Sequence, residues 1–171
     1  MKKRATIYSL CAAVMTMCGL VLGAVPASAS IHNTRGYVHI VNAGSGKCID
    51  ATDAGAVQWR CLNTFNEEWQ FVDVLYAQGF EIVSHASGDC LTAVDSGPGF
   101  WNGTPVVLAP CSPGDTNAAQ VWVPNGDPFI LGNVFYNSAC LDLENGDTSD
   151  GVPMQLWSCN FITNNQRWKQ L

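Results

Sequence analysis

Ser138-Ala139-Cys140-Leu141-Asp142, then Trp157-Ser158-Cys159, then Gln166-Arg167-Trp168: this succession, inside residues 138–168, occurs twice more upstream. The middle copy reads Gly88-Asp89-Cys90-Leu91-Thr92, Ala109-Pro110-Cys111 and Gln120-Val121-Trp122-Val123. The first reads Gly46-Lys47-Cys48-Ile49-Asp50, Trp59-Arg60-Cys61 and Glu67-Glu68-Trp69-Gln70-Phe71. The leading cysteines Cys48, Cys90 and Cys140 lie 42 and 50 residues apart. A period of that size decides the architecture before any local pattern does. Three units, at about residues 35–77, 78–125 and 126–171, account for nearly all of the chain beyond its leader.

Inside each unit the pattern is that of short strands. Tyr37-Val38-His39-Ile40-Val41, Phe80-Glu81-Ile82-Val83 and Phe129-Ile130-Leu131 open the three units as apolar runs, the first two closing on turn signals such as Asn42-Ala43-Gly44-Ser45-Gly46 and Ser87-Gly88-Asp89. Residues 69–75 alternate apolar and polar for most of their length, as a half-buried strand does. No apolar stripe of helical period extends over ten residues, and residues 95–103 and 145–151 are too rich in Gly, Asp and Ser for helix. The expected class is all-β, with Trp69, Trp122 and Trp168 in the core.

Residues 1–29 read as a secretory signal peptide: Lys2, Lys3 and Arg4, an apolar run from Ala5 to Val25, then the small residues Ala27-Ser28-Ala29. Its removal leaves 142 residues, 30–171, with five Lys and Arg against fourteen Asp and Glu, a net charge of −9. So acidic a surface repels phosphate backbones and anionic membranes, which argues against nucleic-acid partners and membrane insertion. Six cysteines remain in an oxidising compartment, where disulfides are the default. Equivalent units should close equivalent loops, which selects Cys48–Cys61, Cys90–Cys111 and Cys140–Cys159 from the fifteen connectivities.

Three cysteine-pair repeats ending in Gln-x-Trp resemble the ricin-type β-trefoil lectins, over about residues 35–171. Gln120/Trp122 and Gln166/Trp168 keep the signature, and Glu67 before Trp69 departs from it. The resemblance implies a six-stranded barrel capped by three hairpins with pseudo-threefold symmetry. It also implies that the Asp, Gln, Trp and Asn of a complete unit line a sugar pocket. Asp142, Gln155, Trp157 and Asn165 match that set in unit three. Unit one keeps Asp50, Trp59 and Asn66 as a second, weaker candidate, with Val57 in place of the Gln. Unit two has lost the set, with Thr92, Ala109 and Ala119 at those places.

Local geometry points the same way. If Cys140 and Cys159 face each other across an antiparallel pair, Asp142 faces Trp157, and Asp50 faces Trp59 in unit one. A carboxylate beside an aromatic face suits a pyranose, whose C–H face packs on the ring while two hydroxyls donate to the acid. The structural alternative makes Asp142 a turn residue and packs Trp157 under its loop.

The expected function is a secreted, non-catalytic carbohydrate-binding module for neutral galactose- or xylose-type sugars. Its partners would be polysaccharides or glycoconjugate glycans, with a secreted enzyme or toxin chain as a further partner. The alternative is a protein-interaction module, a protease inhibitor or toxin subunit, using the loop from Ser96 to Trp101. No metal or cofactor is expected: His32, His39 and His85 are scattered and the cysteines are claimed by disulfides. Gly-x-Ser-x-Gly is absent, and Gly46-Lys47 lacks the rest of a phosphate loop. Paired carboxylates are the remaining enzymatic option, and no segment lies outside the repeats to build a cleft around them.

Overall fold

A computed structural model describes residues 36–74, 77–94, 97, 99–112 and 117–171. The leader and His32 lie outside the described residues, as do Asp95 and, within the Ser96–Trp101 loop, Ser96 and Pro98.

Among the described residues twelve strands fall four to a unit. They are β1 (Val38–Asn42), β2 (Cys48–Thr52), β3 (Gly55–Trp59) and β4 (Glu68–Val74); β5 (Gly79–Ser84), β6 (Cys90–Ala93), β7 (Thr104–Ala109) and β8 (Val121–Gly126); β9 (Phe129–Asn133), β10 (Ala139–Leu143), β11 (Val152–Ser158) and β12 (Trp168–Gln170). All pairings are antiparallel. β1 pairs with β4, β4 with β5, β5 with β8, β8 with β9, β9 with β12 and β12 with β1. That ring is a closed six-stranded barrel, which leaves no open edge. The remaining strands form three hairpins, β2–β3, β6–β7 and β10–β11. The β10–β11 hairpin joins both of the others, β11 pairing with β3 and with β7.

Barrel and hairpins are tied by the three indoles. Trp69, Trp122 and Trp168 are fully buried near the starts of β4, β8 and β12. Their Nε1–H groups donate to the carbonyls of Ile49, Leu91 and Leu141, at 2.9, 2.8 and 3.3 Å. Each acceptor directly follows a leading cysteine, so the indole both fills the barrel and satisfies a hairpin carbonyl. Ile40, Phe71, Ile82 and Leu131 complete the core around them.

The disulfides are Cys48–Cys61, Cys90–Cys111 and Cys140–Cys159, with Cα atoms 5.0–5.1 Å apart. The cysteines of a bridge are not opposite one another, which corrects the register expected from sequence. Cys140 faces Trp157, and Asp142 faces Gln155. Unit one repeats the offset, with Cys48 opposite Trp59 and Asp50 opposite Val57, and so does unit two, with Cys90 opposite Ala109. The second cysteine lies just beyond the end of its strand, and the bridge runs diagonally back to the first. A slip of two residues keeps every side chain on its original face. The first and last strands also meet at their ends, His39 and Leu171 exchanging backbone hydrogen bonds of 2.9 and 3.0 Å.

Candidate functional site

β10 is buried along its whole length, whereas β11 exposes Pro153, Trp157 and Ser158. Asp142 sits mid-strand and is only 4 % exposed, which overturns the turn-residue alternative. The bend comes later, in the 3₁₀ turn Glu144–Gly146, where Asn145 takes the left-handed conformation that Asn tolerates. Gly146 also takes a left-handed φ of 63°, and a Cβ on it would lie 2.6 Å from Asn165 Oδ1 and displace that cleft side chain.

Asp142 Oδ1 accepts from Gln155 Nε2 at 2.9 Å, and Oδ2 accepts from Gln166 Nε2 at 3.0 Å. Gln166 cannot turn its amide, because its Oε1 accepts from Asn160 N at 2.7 Å and its Nε2 also donates to the Ser158 carbonyl. Burial raises the Asp142 carboxyl above the usual carboxylate range, and the two amide donors pull it partly back. Trp157, two residues from Gln155 on the same face of β11, is 40 % exposed. The alternative that packs it under its loop is therefore also overturned.

Asp142, Gln155, Trp157 and Asn165 line a single cleft of about 230 Å³ together with Asn145, Asn160, Thr163 and Gln166. Its chemistry is an oriented anion, a half-open indole and a ring of amides, the donor and acceptor set that polyhydroxyl compounds use.

Unit one differs. Asp50 is buried opposite Val57, and Glu67 occupies the place of Gln166. Trp59 is half-buried at the end of β3, with Gly151 of unit three against its ring. Asn66 lines another groove, of about 680 Å³ between units one and two, with Asp53, Ala54, Ser87, Asp89 and Leu108; Asp50 and Trp59 do not line it. In unit two Thr92 serves structure: its hydroxyl donates to the Cys90 carbonyl at 2.8 Å and accepts from Gln120 Nε2 at 3.0 Å. His85 pairs through Nδ1 with Glu68 Oε2 at 2.6 Å and stacks on Tyr37.

Residues 28–109 match the ricin-type beta-trefoil lectin domain-like family, and residues 78–170 match the ricin-type beta-trefoil lectin domain family. The chain belongs to the ricin-type β-trefoil lectin family. The lectin domain is similar in structure to the designed threefold-symmetric protein ThreeFoil, at 26 % identity and a TM-score of 0.69, over 79 % of this chain and 97 % of that one. It shares its fold with the ricin B-like lectin of Macrolepiota procera, solved in complex with lactose, at 22 % identity and a TM-score of 0.66, over 82 % of this chain and 97 % of that one. In sequence it is 26 % identical over 155 residues to serine protease 1 of Rarobacter faecitabidus, covering 75 % of this chain and 29 % of that relative. The chain thus spans under a third of that curated relative.

Asn145, Asn160, Thr163 and Gln166 of the lectin's cleft were not singled out as site residues from sequence. Of these, Gln166 alone carries a recurring signal. Gln166 opens the Gln-x-Trp signature that follows the cysteine pair in units two and three, whereas the place of Asn160 after the second cysteine is held by Leu62 and Ser112 in the other units.

Proposed function

We propose that this domain binds neutral pyranose sugars of the galactose or xylose type through unit three, without transforming them. The observation that carries the reading is the Asp142 carboxylate, held by one amide on each oxygen beside the half-open ring of Trp157. Each oxygen keeps a lone pair for a sugar hydroxyl, and the ring takes the C–H face. The cleft is smaller than the roughly 300 Å³ at which drug-sized sites begin, which suits one sugar ring rather than several. Monovalent affinity at such a site is about −4 to −6 kcal/mol, millimolar to tens of micromolar. The recurring cysteine pair and Gln-x-Trp signature serve as the scaffold that places this set. The leader and the disulfides support secretion, and a larger enzyme chain is the natural carrier for a domain of this kind.

A glycan array with the mature protein and with Asp142→Ala tests the reading. Binding to galactose- or xylose-containing glycans is expected, and it should vanish in the variant. Retention unchanged by Asp142→Ala overturns it. A second reading, as a protein-interaction module, draws on Trp101, which stands 56 % exposed beside the Asn102 contact to unit three. Protease inhibition that survives Asp142→Ala would favour that alternative.

A further inference from the structure

The residue that opens Gln-x-Trp does the same work in units two and three. Its Oε1 accepts from the backbone N–H just after the second cysteine: Ser112 for Gln120 at 2.9 Å, Asn160 for Gln166 at 2.7 Å. Its Nε2 donates to the carbonyl just before that cysteine, Pro110 or Ser158, at 3.0 and 3.1 Å. The same Nε2 reaches the side chain two residues past the leading cysteine, Thr92 Oγ1 or Asp142 Oδ2, at 3.0 Å in both units. The amide therefore both closes the loop and orients the group that faces the cleft.

Unit one carries Glu67 at this position, fully buried. Its carboxylate keeps the first task, accepting from Leu62 N with both oxygens and from Asn63 N, each at 2.8 Å. A carboxylate has no proton to donate, so the second task is lost. Asp50 receives neither amide: Val57 replaces the donor that faces it across the hairpin, and Glu67 replaces the one from the turn. Among the described residues no group donates a hydrogen bond to the Asp50 carboxylate, and Glu67 is the charge that acts on it.

We propose that Glu67 sets the valency of the domain: standing where the other units carry Gln, it keeps Asp50 from serving as a saccharide ligand and holds the domain to one site. Two effects act together. The like charge opposes a second buried anion, and without an amide the Asp50 oxygens are not oriented toward two hydroxyls. Glu67 is thus a positioning residue that works through Asp50. Glu67→Gln keeps acceptance from Leu62 N through Oε1 and gives up the contact with Asn63 N, while Nε2 turns to Asp50 and the Arg60 carbonyl, as in the other units.

The proposal rests on the assignment of unit three as a sugar site, and its test separates the two. Calorimetric titration with lactose and with xylobiose should give one equivalent bound for the natural protein and none for Asp142→Ala. Adding Glu67→Gln to Asp142→Ala should restore one equivalent, with Val57→Gln/Glu67→Gln binding more tightly than Glu67→Gln alone. The carboxyl carbon of Asp50, followed by NMR, should titrate at lower pH in Glu67→Gln, a change that a purely structural role for Glu67 would not produce. If neither combination restores binding in folded protein, or if the Asp50 midpoint does not move, the inference is overturned. It is equally overturned if binding survives Asp142→Ala and disappears on adding Asp50→Ala, since unit one would then already be active. Binding that survives both substitutions overturns the unit-three assignment instead.

Discussion

At the scale of single residues, Asp142 carries the most. Two charge-assisted hydrogen bonds at about 1.5–3 kcal/mol each amount to most of the affinity expected for one sugar ring. Asp142→Asn is then a sharper control than Asp142→Ala. Gln166 is pinned by Asn160, but Gln155 can reverse its amide to meet the new NH₂ group, so the fold is kept to within about 1 kcal/mol. Retention on a galactan or xylan column should disappear while Tm barely moves. Acid should act in the same direction. Because burial lifts the Asp142 carboxyl, falling pH protonates it before an ordinary aspartate, and retention should be lost at a midpoint above 3.8. A midpoint at or below that value in the column assay would show that another group controls binding. Thr92→Ala is the converse case. It removes an acceptor from the buried Gln120 amide and should cost about 1–3 kcal/mol of stability without touching retention.

At the scale of elements, two of the three hairpin junctions are clasped, each by one residue. Asn102, before Gly103, accepts from Ser158 N at 2.8 Å and from Ser158 Oγ at 3.0 Å. Asp150, before Gly151, accepts from Arg60 N at 3.1 Å and pairs with Arg60 Nε and Lys47 Nζ at 2.8 and 2.6 Å. The third junction has Ala54 and Pro110 in these places, an apolar side chain and a backbone nitrogen without N–H, and there β3 and β7 form no ladder among the described residues. The groove between units one and two lies at this unclasped junction. Asn102→Ala should therefore speed hydrogen exchange at the Ser158 amide and lower stability by about 1 kcal/mol, with the Arg60 amide unaffected. Much of this level was legible in the sequence: the Cys-to-Cys period, the strand openings and the three core indoles all stood in plain pattern. The pairing register was not legible. A disulfide constrains a distance and not an opposition, and Cys159 reaches Cys140 from one step past the strand end. Gln166 also escaped notice as a cleft residue, because a side chain that serves backbone and site together has the same signature as one that serves backbone alone.

At the scale of the whole molecule, two sets of carboxylates pull stability in opposite directions. Burial raises Asp142 and Asp50, the second with help from Glu67, so their ionised forms disfavour folding and acid relieves that cost in the window above 3.8. Hydrogen bonds from Ser149 hold Asp147 low, and Lys47 with Arg60 holds Asp150 low, so the stability these two contribute persists until pH falls below 3.8. Asp147 is exposed, and Asp150 is partly buried but pairs at the surface with an Arg60 that is 68 % exposed, so screening makes their share small. Calorimetric Tm should hold or rise on mild acidification and decline only at lower pH. A Tm that drops steadily from neutrality would contradict this balance. The backbone pairing of His39 with Leu171 has a further consequence for how such a domain can be rewired. With entry and exit side by side, the loop order is not dictated by where synthesis begins. A circular permutant that joins residue 171 to residue 36 through a few glycines, and opens instead between units one and two, should refold with all three bridges.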